Sequence, residues 1–265
     1  MTNIEKIVTK IPNLSKVVLK LENLKKIDSF ELVELIEVLQ ENQLAVSKIM
    51  KMANSKFFGF SNSIDSLHNA VSLYGFNFTI SVAISEIINN TLIPNLDMYH
   101  SNKNDFFSLN EQSLKLMFLW LKKEELSLKE ELIIPCLINK LGMFLTIDLI
   151  KPENQKVFID EIKKNPLDIS SIEKKIIGYT SFEITSIILE KWNFDIKTIN
   201  IIKNIDNINS KQSAILNVLS KIFNPLTPFT KESIMEGLKL ADYYDLDVSS
   251  LKESIEEFFI LLKNK

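Results

Sequence analysis

Arginine is absent from the 265 residues, so all 31 basic side chains are lysines. The planar fork that grips phosphate or guanine at two points is therefore unavailable. That disfavours sequence-specific DNA reading and arginine-finger catalysis. Codon bias accounts for the absence, since Asn and Ile are abundant, but the chemical consequence is the same. The formal charge of -3 gives no bulk attraction to nucleic acid or anionic lipid. Cysteine is nearly missing too: Cys136 stands alone, so no intramolecular disulfide can form. Glu5, Lys6 and Lys10 interrupt any N-terminal apolar run, which leaves no visible signal peptide and makes the cytoplasm the expected location. Long apolar runs are also lacking. The best, 78–92, is spoiled by Ser81, Ser85, Glu86, Asn89 and Asn90, so no membrane span is expected. Neither GxGxxG nor GxxxxGK[ST] occurs, and a Gly-rich phosphate loop has no support.

What is present is helical periodicity. Apolar residues make up 46% and charged residues 25%, enough for a sizeable core in one large domain or two lobes. With only 5 glycines and 7 prolines, few breaks interrupt the pattern, and no long alternating stretch appears. Helices are expected at 13–24, 28–40, 42–53, 63–75, 78–90 and 105–122. A strongly apolar segment at 133–150 is broken by Gly142, and further helices follow to the C-terminus. Asp28 to Glu31 has capping-box spacing, and the helix it opens is apolar around most of its circumference, which predicts burial. A polar, broken stretch at 94–105 marks the best boundary. The class is all-α: two helical lobes, 1–94 and 95–209, with a C-terminal helical extension, 210–265, packed on the second lobe.

The organising stretch is 48–75. Val46, Ile49, Met50 and Ala53 form one stripe; Asn54 and Ser55 end the helix; Gly59 permits a sharp break; Ser63 can cap the next helix, which stops at Gly75. Preceded by Ile11-Pro12, the segment ANSKFFGFSNSIDSLHNAVSLYG resembles the N-terminal half of HDOD domains, bacterial helical signalling modules related to the HD phosphohydrolases. The resemblance extends over about 8–205. LINKLGMF (137–144) lies where HD proteins carry a His-Asp pair, GYTSFE (178–183) where they carry a later His, and Leu189 to Trp192 matches the close of that helix.

At the aligned positions this chain has Asn139, Lys140, Ser181 and Asn204, and no histidine follows His100. An HD hydrolase needs His and Asp ligands to hold metal and activate water, and an ammonium inside such a site repels the ion. The resemblance therefore implies a non-catalytic relative with no catalytic residue, metal or cofactor. His68, His100 and Cys136 read as structural or solvated side chains, and the acid pairs beside lysines as solvated helix faces. Asn54, Ser55, Phe57, Phe58, Phe60 and His68 are the candidate partner or lobe-interface surface; three aromatics in four residues read first as packing. The expected function is signal transduction or regulation by a stand-alone module that binds a protein partner or small ligand. The resemblance links it to motility or cyclic-dinucleotide signalling. Two other classes remain open: a diverged metal-dependent phosphohydrolase with a rebuilt site, and a nucleic-acid-binding regulator whose affinity would fall steeply with salt.

Overall fold

The computed structural model describes residues 3–27, 30–55 and 63–263, and every regular element among them is helical. The chain divides into two units. One is Pro12–Leu92; the other combines the chain up to Ile11 with the chain from Ile93 onward. The first helix, α1 (Asn3–Lys10), thus belongs with the later part of the chain, and the sequence reading had no helix before residue 13.

The smaller unit holds α2 (Lys16–Leu24), α3 (Leu32–Gln40), α4 (Gln43–Ala53), α5 (Leu67–Tyr74) and α6 (Phe76–Thr91). Helix α6 is its centre. Most of its length is buried, with Ile80, Ala83, Ile84 and Ile88 fully so, and α2 and α4 pack against it. Its small polar residues fit inside because their hydroxyls bond one turn back: Ser85 Oγ donates to Ser81 O at 2.8 Å and Thr79 Oγ1 to Gly75 O at 2.8 Å. Gly75, at φ +78°, ends α5 and opens α6, and the two axes differ by 116°. Nothing crowds the space a Cβ would occupy there, so the requirement is the left-handed backbone itself.

Local chemistry corrects three expectations in this unit. The cap of α5 is Ser66, whose Oγ accepts from Asn69 N at 3.2 Å, rather than Ser63. The capping box of α3 runs from Glu31 to Glu34, one turn beyond the expected Asp28 to Glu31; Glu34 Oε2 accepts from Glu31 N at 3.0 Å. Helix α3 is only half buried: Leu35 and Leu39 face the core, while Val33 is 58% exposed. Its apolar circumference meets protein on one side alone.

The larger unit continues with α7 (Lys103–Trp120), α8 (Leu126–Ile138), α9 (Met143–Leu149), α10 (Gln155–Lys164), α11 (Ile169–Ile177), α12 (Ser181–Lys191), α13 (Ile196–Lys203), α14 (Lys211–Ile222), α15 (Lys231–Tyr243) and α16 (Val248–Lys263). Helix α8 is buried all round from Leu132 to Ile138, between α7, α13 and α14. Each fully buried Leu or Ile there contributes about 1.5–3 kcal/mol. Helix α16 packs on α7. Trp120 Nε1 donates to Asp247 O at 2.9 Å, and Ser250 Oγ donates to Trp120 O at 2.9 Å, which stitches the end of α7 to the start of α16. Phe223, Phe229 and Phe258 form a ring cluster with centroids 5.0–5.7 Å apart. Along α16 the buried stripe is Leu251, Ser254, Ile255 and Phe258, while the neighbouring Phe259 is 42% exposed.

The stretch at 94–105, read as a polar boundary, also contributes to this core. A 3-10 turn at Asp97–Tyr99 drives Met98 and Tyr99 inside, with Tyr99 edge-on to Phe158 at 5.7 Å. Among the described residues no single helix is long and apolar enough to cross a membrane.

Candidate functional site

Two regions carry the candidate residues. At the elbow of the smaller unit, Asn54 is the C-cap of α4. Its Nδ2 donates to Met50 O at 3.0 Å and Ile64 O at 2.9 Å, while its Oδ1 accepts from Ile64 N at 2.8 Å. One amide thus ties the end of α4 to the approach to α5, an architectural role that accounts for Asn at this position. Ser55 is half-buried and His68 is exposed on the first turn of α5. Phe57, Phe58 and Phe60 lie outside the described residues.

The second region is where the α8–α9 turn meets the start of α12. Gly142 makes the approach possible. A Cβ on it would sit 2.1 Å from Ser181 O, 2.8 Å from Ile184 Cβ and 2.9 Å from Thr185 N. Thr185 then fastens the crossing: its Oγ1 accepts from Gly142 N at 2.8 Å and lies 2.9 Å from Asn139 O and 2.8 Å from Ser181 O, either of which its hydroxyl can donate to. Asn139, Lys140 and Ser181 are all buried here. Asn139 Nδ2 donates to Cys136 O at 3.3 Å, and its Oδ1 has no hydrogen-bond partner among the described residues. Asn204 stands apart. It caps α13, and its Nδ2 turns back to Asn200 O at 2.8 Å.

Lys140 and Ser181 line one cavity of about 30 Å³, together with Ser170, Phe182, Lys221 and Asn224 among others. Burial pulls the Lys140 ammonium down to about 8. Beside it Cys136 is fully buried, its Sγ 3.3 Å from Ser113 Oγ, and burial pushes the thiol up to about 11. That makes it an inert core residue, not a nucleophile.

The sequence reading missed the acids behind this cavity. Glu173 of α11 is fully buried. Its Oε1 accepts from Tyr99 Oη at 2.6 Å and its Oε2 from Ser181 N at 2.6 Å, so it occupies the first turn of α12. Burial pushes its carboxyl up to about 7, the donated hydrogen bonds pull it down, and the charge of Asp206 raises it. Asp206 is itself raised, chiefly by burial, against the pull of Ser170 and Lys221. The signal was available: Ile169, Ile172, Glu173 and Ile176 share one helical stripe, so a glutamate occupies a core-facing position. Lys140 gave the same sign, as a lysine inside the apolar run from Leu132 to Leu145.

An HDOD family model matches residues 11–208. The chain belongs to the HDOD domain family. Solved structures share the HDOD fold over nearly the whole chain. A candidate phosphohydrolase from Shewanella amazonensis superposes with TM-score 0.75 at 15% identity, covering 97% of this chain and 94% of that one. An HDOD domain protein of unknown function from Geobacter sulfurreducens gives 0.64 at 12%, covering 97% of each. A candidate signal transduction protein from Marinobacter aquaeolei gives 0.65 at 16%, covering 96% of this chain and 57% of that one. At these identities the likeness is one of fold. No curated protein sequence matches the chain.

In this HDOD domain Asn139, Lys140 and Ser181 bring together an amide, an ammonium and a hydroxyl, a set that does not suit a divalent metal because the ammonium repels a cation. Among the described residues no group of three or more His, Cys, Asp and Glu side chains is arranged to hold one.

Proposed function

We propose that the chain is a non-catalytic regulatory module of bacterial signal transduction, working in the cytoplasm by binding a protein partner or a small ligand. The observation that carries this reading is Lys140. A buried ammonium stands where the resemblance to HD hydrolases calls for an acid, in a chain belonging to the HDOD family. Charge of that sign opposes the metal and the activated water that hydrolysis needs. The pathway is a matter of the partner, with motility and cyclic-dinucleotide signalling the proposed settings. Asn54, Ser55 and His68, with Phe57, Phe58 and Phe60, form the proposed contact surface in the smaller unit.

The test pairs metal analysis with a phosphomonoesterase and phosphodiesterase screen, and adds affinity capture from the native cell. The reading expects no stoichiometric metal, no turnover, and a reproducible partner lost on Phe57→Ala or Phe60→Ala in a folded protein. Stoichiometric Fe, Mn, Zn or Mg together with turnover overturns it.

A further inference from the structure

We propose that the cavity between the α8–α9 turn, the start of α12 and the end of α14 seats a phosphoryl group of a small molecule, with Lys140 as the anchoring charge. The proposal rests on the regulatory reading and specifies its small-ligand arm. No carboxylate lines the cavity, while two lysines do, Lys140 and Lys221. Lys140 is only 4% exposed, and no acceptor bonds its Nζ among the described residues. A buried ammonium without a partner is costly, and a bound oxyanion removes that cost. Lys221 donates one N–H to Leu167 O at 2.7 Å and keeps two for a guest.

Ser181 and Phe182, the first two residues of the eleven-residue α12, also line the cavity, but Glu173 already accepts from Ser181 N at 2.6 Å, so the chain's own carboxyl occupies this helix N-terminus. The hydroxyls of Ser170 and Ser181 border the cavity but are engaged by Asp206 and Glu173, so the donors left for a guest are the two lysines. The opposing charges are Glu173 and Asp206. Neither lines the cavity, and burial holds both carboxyls above their ordinary range, Glu173 at about 7. A volume near 30 Å³ holds one or two waters, so a phosphoryl group enters by its leading oxygens and a whole nucleotide is excluded. Any larger part of the ligand lies outside.

The test uses the full chain in chloride buffer at constant ionic strength, with inorganic phosphate and glycerol phosphate as probes, followed by thermal unfolding and calorimetric titration. Binding raises Tm with the logarithm of probe concentration. A response to inorganic phosphate alone identifies free phosphate as the guest; a response to glycerol phosphate identifies the phosphoryl end of a larger molecule. Lys140→Met weakens either response at least about tenfold, the worth of one charge-assisted hydrogen bond. Lys221→Gln, at the less buried of the two lysines, weakens it less and serves if the first variant does not fold. No response from the unaltered chain to either probe, or an equal response from Lys140→Met, overturns the proposal. Partner capture is read separately, so the regulatory reading survives that failure. Release of phosphate from glycerol phosphate has the opposite effect, sinking the regulatory reading and leaving the seat.

Discussion

At the scale of single residues, the buried charges set how stability depends on pH. Glu173 ionises near 7 in the folded chain, above the ordinary glutamate value. Its folded pKa is raised, so its favourable contribution is complete below about 4.5 and is lost as pH rises through about 7. Denaturant titrations should find the protein less stable at pH 8 than at pH 5 by ~2–3 kcal/mol from this group, a difference that shrinks in Glu173→Gln. Lys140 acts in the other direction. With its pKa lowered from 10.5 to about 8, the folded state releases its proton first, and stability recovers as pH rises from about 8 to about 10.5. In phosphate-free buffer at pH 7, Lys140→Met is expected to stabilise the protein by ~1–3 kcal/mol, read as a higher denaturation midpoint with unchanged slope. Tyr99→Phe removes a donor from a buried carboxylate and should cost ~1–3 kcal/mol, with the loss greater above pH 7 where Glu173 is charged.

Among elements, the crossing of the α8–α9 turn with α12 is the least tolerant feature. Gly142→Ala places a methyl group 2.1 Å from Ser181 O, a backbone atom that cannot swing aside. Helices must separate, at a cost of about 1–3 kcal/mol or more. Thermal unfolding measures the cost, and phosphate binding should fail with it, because the same separation opens the cavity. The helices themselves were legible in the sequence because 3.6-residue periodicity and scarce glycine and proline leave little alternative. Their exact starts were not. Ser63 and Ser66 are equivalent as cap chemistry, and the choice falls to Ser66 because the α5 turn that follows supplies Asn69 N. The depth of α3 was misread for a related reason: periodicity reports which residues are apolar, not whether protein covers both sides. The burial of Glu173 was legible from its place on the stripe of Ile169, Ile172 and Ile176, yet its bond to Tyr99 was not, since their meeting joins positions 74 residues apart.

For the whole molecule, the division into units does not follow chain order. Helix α1 precedes Pro12–Leu92 but packs with α9 and α12 of the larger unit. Lys191 secures it, donating from Nζ to Val8 O and to Ile11 O at the C-terminal end of α1, where a cation also suits the helix dipole. Lys191→Met should leave the rest of the larger unit folded while amide exchange at 3–11 accelerates. Unchanged protection there would show that apolar contacts hold α1 without the lysine. Ile4, Ile7 and Val8 mark a stripe on α1, but nothing in it announces this destination, because α1 is short and its partners begin more than 130 residues later.

That separation has a consequence during synthesis. At about 5–20 residues per second, α1 leaves the ribosome roughly 10–40 s before α12 is made. The helix is eight residues long, too short to persist in water by itself. For those seconds it is an unclaimed amphipathic segment. Its place in the larger unit opens only once α9 and α12, with Lys191, have been made.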